Sequence, residues 1–363
     1  MKAIHASAVL LAVTLLLGAV AWGPAAASTP TSQPSTAAKE FFRGKDVTLV
    51  LMTSPGGAYD LIARLIAPKL KQILEARAVI VQLRGGGFVA VTNYVYNRVK
   101  PDGLTLLHFA LGSRGWSQLM VTPGVEFDVR QFVPVAQFMP PPGAVLLTRG
   151  ALGVKTVSDL KNLKQFRVGT TARYSDVQLL STLLFENFGI SNAKFVTGYT
   201  GSTDTMLAVE RGEIEATAGV TTSSALMEAR KGIESGVYGL FTIYSEKRVE
   251  AFPDVPVALQ LGEWRADLKP WLEIATAISD LYNTWVLPPG TPADRVAYLR
   301  QVFEDLWADA EIKKGLNNLL QGYAMFRGGS QIEQVVKKAF PKEVLSEADR
   351  TWLRQLMDKW SAK

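Results

Sequence analysis

The fold is decided by residues 47–66, which read VTLVLMTSPGGAYDLIARLI. The apolar run at residues 47–52 predicts a buried strand, and the segment at 54–57 ends it because proline and glycine interrupt regular structure. A helical pattern then opens at Asp60. The first amides of a helix have no internal partner and lie at the positive end of its dipole. This strand–turn–helix unit is therefore typical of an anion-binding site.

Four residues of this unit are candidate ligand contacts. Gly56 and Gly57 lack a Cβ, so a ligand can approach their backbone closely. Ser54 can add a hydroxyl donor, and Asp60 stands at the predicted start of the helix. The same residues also fit a plain connection in which Asp60 caps the helix and Ser54 binds nothing.

The N-terminal residues have the pattern of a secretory signal peptide. Lys2 precedes an apolar run at residues 6–20, and three alanines at 25–27 form an A-x-A cleavage signal. The apolar run is short for a membrane span. We expect export with cleavage after Ala27, and an uncleaved N-terminal anchor is the alternative. Residues 28–39 are rich in serine, threonine and proline, which predicts a disordered leader.

The composition excludes several kinds of chemistry. The chain has no cysteine, so disulfides, thiolate catalysis and cysteine-based metal sites are impossible. Of its two histidines, His5 lies in the signal peptide, and His108 alone cannot complete a Ser-His-Asp triad or a histidine-rich zinc site. We expect His108 to be a satisfied core residue on a strand. We expect no catalytic residue, no metal and no cofactor.

The charge distribution argues against nucleic-acid binding. The formal net charge is +6, but lysines and arginines are scattered and form no basic cluster with aromatic residues. A mildly positive surface still favours the approach of an anionic ligand.

From Lys45 onward, strand and helix patterns alternate, which indicates an α/β fold that binds ligands at the carboxyl ends of its strands. A third strand at 104–110 leads to Ser113, another candidate contact. Polar turns precede two later helices. In the first of these turns, Arg173 can bind a carboxylate bidentately, and a solvent-facing Arg173 is the alternative. The second turn contributes Tyr199, Thr200, Gly201 and Ser202 as candidate contacts, and Tyr199 fits equally well as a packing residue at a strand end.

Five short motifs carry a family resemblance. They are SPGG with Asp60, PDGLTLL at 101–107, FVTGYTG at 195–201, FPDVP at 252–256 and LPPGTP at 287–292. In order and spacing they resemble the tripartite tricarboxylate transporter solute receptors, also called the Bordetella uptake gene (Bug) proteins. The resemblance runs from about Lys45 to the C-terminus. It implies a type II periplasmic-binding-protein fold, with two α/β lobes at 40–143 plus 282–363 and at 144–281, joined by a hinge.

The resemblance also implies ligand contacts from the turn after the strand at 166–169. The family has a glycine- and serine-rich turn there that faces the first turn across the cleft. This implies that Thr170, Thr171 and Ser175 contact the ligand. The chain has fewer glycines in this turn than the family. It also has small hydroxyl residues at 221–224 where the family has acidic or amide residues, which indicates a different ligand tail.

These observations predict a periplasmic solute-binding receptor. We expect a monomer that captures a small organic acid, and the resemblance implies that it delivers this acid to inner-membrane transporter subunits. A sensor subunit that feeds a signalling partner has the same fold and stays open as an alternative. An exported enzyme on this fold is the third possibility, but Asp60 and Asp176 stand at helix caps and form no acid–base set.

Three local expectations concern helices. Pro68 should kink or end the first long helix near Ala67. Ser330 and Ser346 should each begin a capping box. The last helix should pack as a brace on the first domain.

Overall fold

Strands and helices alternate along the chain. The computed structural model describes residues 35–52, 55–83, 88–139, 143–340 and 345–361. Its strands are β1 Asp46–Leu51, β2 Ala78–Leu83, β3 Thr105–Phe109, β4 Val133–Met139, β5 Ala144–Arg149, β6 Phe166–Thr170, β7 Ala193–Thr197, β8 Ala216–Thr221, β9 Tyr238–Tyr244, β10 Thr284–Leu287 and β11 Met325–Gly328. Its helices are α1 Thr36–Phe42, α2 Ala58–Leu74, α3 Phe88–Arg98, α4 Leu111–Leu119, α5 Val157–Asn162, α6 Asp176–Phe188, α7 Ser202–Glu210, α8 Thr222–Met227, α9 Arg230–Glu234, α10 Lys269–Ser279, α11 Ala293–Ala308, α12 Ala310–Leu319, α13 Gly329–Ala339 and α14 Glu347–Lys359.

The strands form two sheets. The first has the order β11-β4-β10-β3-β1-β2 and the second has the order β7-β6-β8-β5-β9. Strands β1, β2 and β3 run parallel, as do β6, β7 and β8, because a helix returns the chain after each of them. The chain crosses between the sheets twice, after β4 and after β9. The predicted α/β architecture with two separate sheets is therefore present.

Each sheet is covered by amphipathic helices. Helix α2 buries Ile62, Ile66 and Leu70 at the helical spacing that its sequence predicts. Helix α6 is buried along most of its length, including polar residues such as Gln178, Ser181 and Thr182. These packed helices hold the turns at the carboxyl ends of β1 and β6 in fixed positions.

Helix α2 differs from the prediction at two points. It begins at Ala58 with Gly57 as the N-cap, two residues before Asp60. It also continues through Pro68 to Leu74, so the predicted end near Ala67 is wrong. The apolar face on both sides of the proline is buried, and this burial offsets the lost backbone hydrogen bond.

A helix occupies part of the predicted leader. Residues 35–39 were expected to be disordered, but Ser35 caps α1 by accepting from the Ala38 N–H at 3.1 Å. Ala38 and Phe42 are buried, and the Phe42 ring lies 5.6 Å from that of Tyr298. The rest of the leader, together with the signal peptide, lies outside the described residues.

At one of the two predicted capping boxes, the serine is the N-cap of its helix. The Ser346 hydroxyl accepts from the Asp349 N–H at 3.1 Å at the start of α14, as predicted. The other prediction is wrong, because α13 begins at Gly329 and Gly328 is its N-cap, which places Ser330 inside the helix.

Helix α14 packs mainly on elements of the second sheet and not on the first domain. The Trp360 ring lies 5.8 Å from that of Phe185 on α6, and the Trp360 carbonyl accepts from the Phe195 N–H on β7 at 2.7 Å. Arg354 adds a hydrogen bond to the carbonyl of Met120, just after α4. The prediction that α14 packs as a brace on the first domain is therefore wrong for most of its contacts, because the apolar face of α14 packs against α6.

His108 lies in the core of the first sheet. Its ring stacks on Trp285 at 4.0 Å and lies 4.7 Å from the Tyr59 ring. It is 0% exposed, and neither ring nitrogen has a hydrogen-bond partner among the described residues. The core position agrees with the prediction, but the histidine is not satisfied. Burial lowers the pKa of His108 to about 3, against weaker opposing effects from the backbone of Asn283 and Tyr59.

This burial predicts a pH-dependent stability. The pKa of His108 is about 3 in the folded protein and 6.5 as the ordinary value, so between these pH values only the unfolded chain holds the extra proton. The free energy of unfolding should therefore fall as the pH falls from 6.5 towards 3. Relative to His108→Phe, the wild type should lose about 1.4 kcal/mol more per pH unit, measured by urea unfolding at pH 7.5, 5.5 and 4.5. Parallel curves for the two proteins would contradict this account.

A second prediction concerns the contact between α4 and α10. A Cβ on Gly112 would lie 1.9 Å from the Ile278 carbonyl oxygen, whereas a Cβ on Gly219 would have its nearest neighbour at 3.9 Å. Gly112→Ala should therefore reduce the free energy of unfolding by about 1–3 kcal/mol. Gly219→Ala is the matched control in the same denaturation experiment. Equal stability of the two variants would show that α4 and α10 can separate freely.

Candidate functional site

The turn between β1 and α2 keeps part of its backbone open. Gly56 has φ +80°, which favours glycine, and its N–H donates to the Asp60 carboxylate at 2.9 Å. Asp60 is 2% exposed and also accepts from Arg64 at 2.7 Å. It is therefore not the N-cap. The N-cap Gly57 has no side chain to bond the first amides of α2, and no side chain among the described residues caps them. Ser54 lies outside the described residues.

The turn between β6 and α6 is largely occupied by its own side chains. Ser175 is the N-cap of α6 and accepts from the Gln178 N–H at 3.2 Å. Its hydroxyl also lies 3.2 Å from that of the buried Thr170. Thr171 is half-buried beside them. This turn is thus preorganised by internal hydrogen bonds.

Arg173 points away from this turn. Its guanidinium forms an ion pair with Asp358 of α14 at 2.7 Å, and its side chain is 54% exposed. The Tyr174 hydroxyl donates to the same carboxylate at 2.7 Å. Arg173 is therefore engaged at the surface, as its solvent-facing alternative describes.

The turn between β7 and α7 is also closed by an acidic residue. The Thr200 N–H donates to the Asp204 carboxylate at 3.2 Å, and the Thr200 hydroxyl donates to it as well. Gly201 is the N-cap, and the Ser202 hydroxyl donates to Ser224 at 3.4 Å. Tyr199 packs beside Gly169 of β6 and against an apolar cluster, which matches its packing alternative.

The two halves of the protein meet at Asp176. This carboxylate begins α6 and is 4% exposed. It accepts from the Ser113 hydroxyl at 2.8 Å and from the Tyr282 hydroxyl at 2.6 Å. Ser113 lies on α4 and Tyr282 lies just before β10, both next to strands of the first sheet. The structure thus brings one predicted residue, Ser113, against two whose role in the site the sequence analysis missed.

A second bridge lies between Asn283 and α8. The Asn283 side-chain amide donates to the Ser223 hydroxyl at 3.3 Å, and the Asn283 N–H donates to the Tyr59 hydroxyl at 3.4 Å. The Asn283 side-chain oxygen is buried without a hydrogen-bond partner among the described residues. Burial raises the pKa of Tyr59 to about 12, so this phenol stays protonated. No motif in the sequence marks Asn283 as part of a site.

Arg114 adds a positive charge beside Asp176. Its guanidinium lies 5.0 Å from the centre of the Phe88 ring. Burial lowers the pKa of Arg114, and the negative charge of Asp176 opposes this effect. The one sequence signal for this residue is its place directly after Ser113, at the carboxyl end of β3.

The described residues contain neither a candidate metal site nor a candidate membrane span. Within them, no group of three or more histidine, aspartate or glutamate side chains is placed to hold a metal ion. No helix in those same ranges combines the length and apolar character of a membrane span.

Comparison with known sequences identifies relatives. Residues 62–331 match the family model described as the tripartite tricarboxylate transporter family receptor. A UPF0065 protein of Bordetella pertussis is 25% identical over 272 residues, which is 71% of this chain and 75% of that protein.

Solved structures share the fold. A protein of Rhodopseudomonas palustris with bound malate has a TM-score of 0.62 at 20% identity, over 86% of this chain and 99% of that chain. Another R. palustris protein, with adipate, has a TM-score of 0.63 at 19% identity, over 88% of this chain and 99% of that one. The expected two-lobe fold of periplasmic binding proteins is thereby confirmed.

The family match covers most of the chain, including the starts of α4 and α6 that meet at Asp176 and the start of α8 that contacts Asn283. It is a family of receptors, so the expectation of a binding protein and not an enzyme is confirmed. This chain belongs to the receptor family of the tripartite tricarboxylate transporters.

Proposed function

We propose that the chain is a periplasmic receptor that captures a small carboxylate-bearing metabolite between its two sheets and delivers it to a tripartite tricarboxylate transporter. Membership of the receptor family supports the role in transport. The malate and adipate bound by two proteins of the same fold support a carboxylate ligand.

One observation carries the carboxylate assignment. Helix α2 starts after the carboxyl end of β1 with no side-chain cap from the described residues, whereas Ser175 caps α6 and Asp204 closes the turn before α7. Uncapped amides at the positive end of a helix dipole bind anions. The start of α2 is therefore the part of the site where a ligand carboxylate gains most.

The arrangement of the strands supports a hinged pair of lobes. We propose residues 40–143 plus 282–363 as the first lobe and 144–281 as the second, with α14 extending from the first lobe to pack on α6 of the second. Strands before residue 140 and after residue 283 belong to the first sheet, and those between belong to the second. The hydroxyl contacts of Ser113 and Tyr282 with Asp176 would then hold the closed state, and their rupture would open the cleft.

The remaining parts of the proposal rest on the sequence. We propose cleavage after Ala27 by the secretory machinery, and a monomeric mature receptor that meets the inner-membrane subunits only during delivery. The apolar run at 6–20 followed by three alanines supports the cleavage.

Substitution of Gly57 tests the carboxylate site. Gly57 has φ −71° and ψ 164°, which any residue adopts, and aspartate and asparagine are equally good N-caps. Gly57→Asp adds a negative charge beside the α2 amides, so affinity for a bound carboxylate should fall at least about tenfold, or about 1.4 kcal/mol. Gly57→Asn has nearly the same size without the charge and should stay closer to the wild type.

The measurement is isothermal titration calorimetry of the exported form against malate, adipate and other small carboxylates. Equal affinities of the aspartate and asparagine variants would place the ligand elsewhere. If no carboxylate in the panel bound the wild-type protein, the proposed function itself would be wrong.

A further inference from the structure

Two charged side chains in the site are incompletely paired. The Arg114 guanidinium forms no ion pair and no side-chain hydrogen bond with any described residue, and its one described contact is the Phe88 ring at 5.0 Å. A guanidinium has five N–H donors, and taking them out of water without acceptors is unfavourable. The side chain is half-buried, so part of this cost applies in the ligand-free protein.

The Asp176 carboxylate has one oxygen that receives no hydrogen bond from the described residues. Both described hydrogen bonds, from Ser113 and Tyr282, go to its Oδ2 atom. Its Oδ1 atom accepts none from the described residues and keeps contact with solvent, although the residue as a whole is 4% exposed. A carboxylate oxygen that is open in this way can accept a hydrogen bond from a ligand, most strongly from a cationic donor.

These two groups are neighbours that do not neutralise each other. Ser113 precedes Arg114 in the chain and bonds to Asp176, yet the guanidinium is not within the 4.0 Å of the carboxylate that an ion pair requires. The charge of Arg114 also acts on Tyr59, the second residue of α2. Through Ser113, Arg114 is held next to the carboxylate at the start of α6, and its effect on Tyr59 agrees with a position near the start of α2.

We propose that Arg114 binds the ligand's carboxylate together with the α2 amides, and that Asp176 Oδ1 accepts a hydrogen bond from a protonated amine of the same ligand. The ligand class is then the amino acids. This inference rests on the proposed function and narrows it to carboxylates that also carry an amine.

The net charge of the site favours amino acids over dicarboxylates as ligands. Arg114 and Asp176 together have no net charge, and Asp60 is paired with Arg64 at 2.7 Å. A zwitterion adds no net charge and pairs both free groups. A dianion would place its second negative charge in a site that already contains Asp176, and like charges at short range repel each other.

Matched pairs of probes test the inference. The wild-type protein is titrated with L-alanine and propionate, L-glutamate and glutarate, and L-phenylalanine and 3-phenylpropionate, together with malate and adipate. We expect at least one amino acid to bind at least about tenfold more tightly than its partner without the amine, a difference of about 1.4 kcal/mol.

Two variants test which side chain binds the carboxylate of the ligand and which binds its amine. Asp176→Asn keeps an acceptor oxygen for Ser113 and Tyr282 but removes the charge, so it should abolish the preference for the amino acid over its amine-free partner. Arg114→Gln should weaken both members of the pair at least about tenfold. Arg98→Gln and Glu250→Gln change exposed charges away from the site and should bind like the wild type.

Stability of the ligand-free variants separates binding from a structural role. Because Arg114 is an incompletely paired and half-buried charge, Arg114→Gln should unfold at the same or a higher urea concentration than the wild type. A clear loss of stability would make Arg114 a structural residue and overturn its assignment.

The binding outcomes distinguish the two proposals. Tight binding of malate or adipate with no amino acid bound would overturn the inference and leave the carboxylate receptor intact. The same holds if Asp176→Asn keeps the wild-type preference. Absence of binding by every probe would overturn both proposals.

Discussion

The contact on which the site depends is the buried carboxylate of Asp176 with the hydroxyls of Ser113 and Tyr282. Burying a carboxylate is costly unless donors surround it, and here two hydroxyls and the positive end of α6 compensate it. The donors come from the first sheet's side and the acceptor from the second. The contact therefore orients the two sheets and also sets the residues beside the donors, Arg114 and Asn283.

Three helices of the candidate site carry an acidic residue in their first turn. Backbone amides at the helix starts therefore cannot by themselves form the anion site. Asp60 bonds the Gly56 N–H, Asp204 bonds the Thr200 N–H, and Asp176 lies at the start of α6. Each of them competes with an external anion for the field of its own helix. In the binding mode that we propose, the ligand carboxylate is therefore recognised by the groups that these acids leave free, which are the first amides of α2 and the guanidinium of Arg114.

Local periodicity was a good guide to the elements and a poor guide to their ends. The strands at 46–51 and 105–109 and the helices around them follow from apolar runs and helical spacing. The start of α2 was misplaced because Asp60 resembles a cap, and its fold back onto Gly56 is visible only in three dimensions. Pro68 and α1 were misjudged because tertiary burial outweighs local propensity. The sequence does not decide whether Arg173 faces the ligand or the solvent, because its partner Asp358 lies 185 residues away.

The sequence by itself determined the α/β class, the order of the βα units and the receptor family, because each depends on short-range patterns of residues. It also marks the turns that we propose as ligand contacts, through their glycine and hydroxyl residues. The tertiary structure alone decided which polar groups are already used and which remain free. The hydroxyl of Ser113 reaches an acid 63 residues away, and that of Tyr282 reaches the same acid across 106 residues. Hydrogen bonding and burial act through space, so no local pattern could assign these pairs.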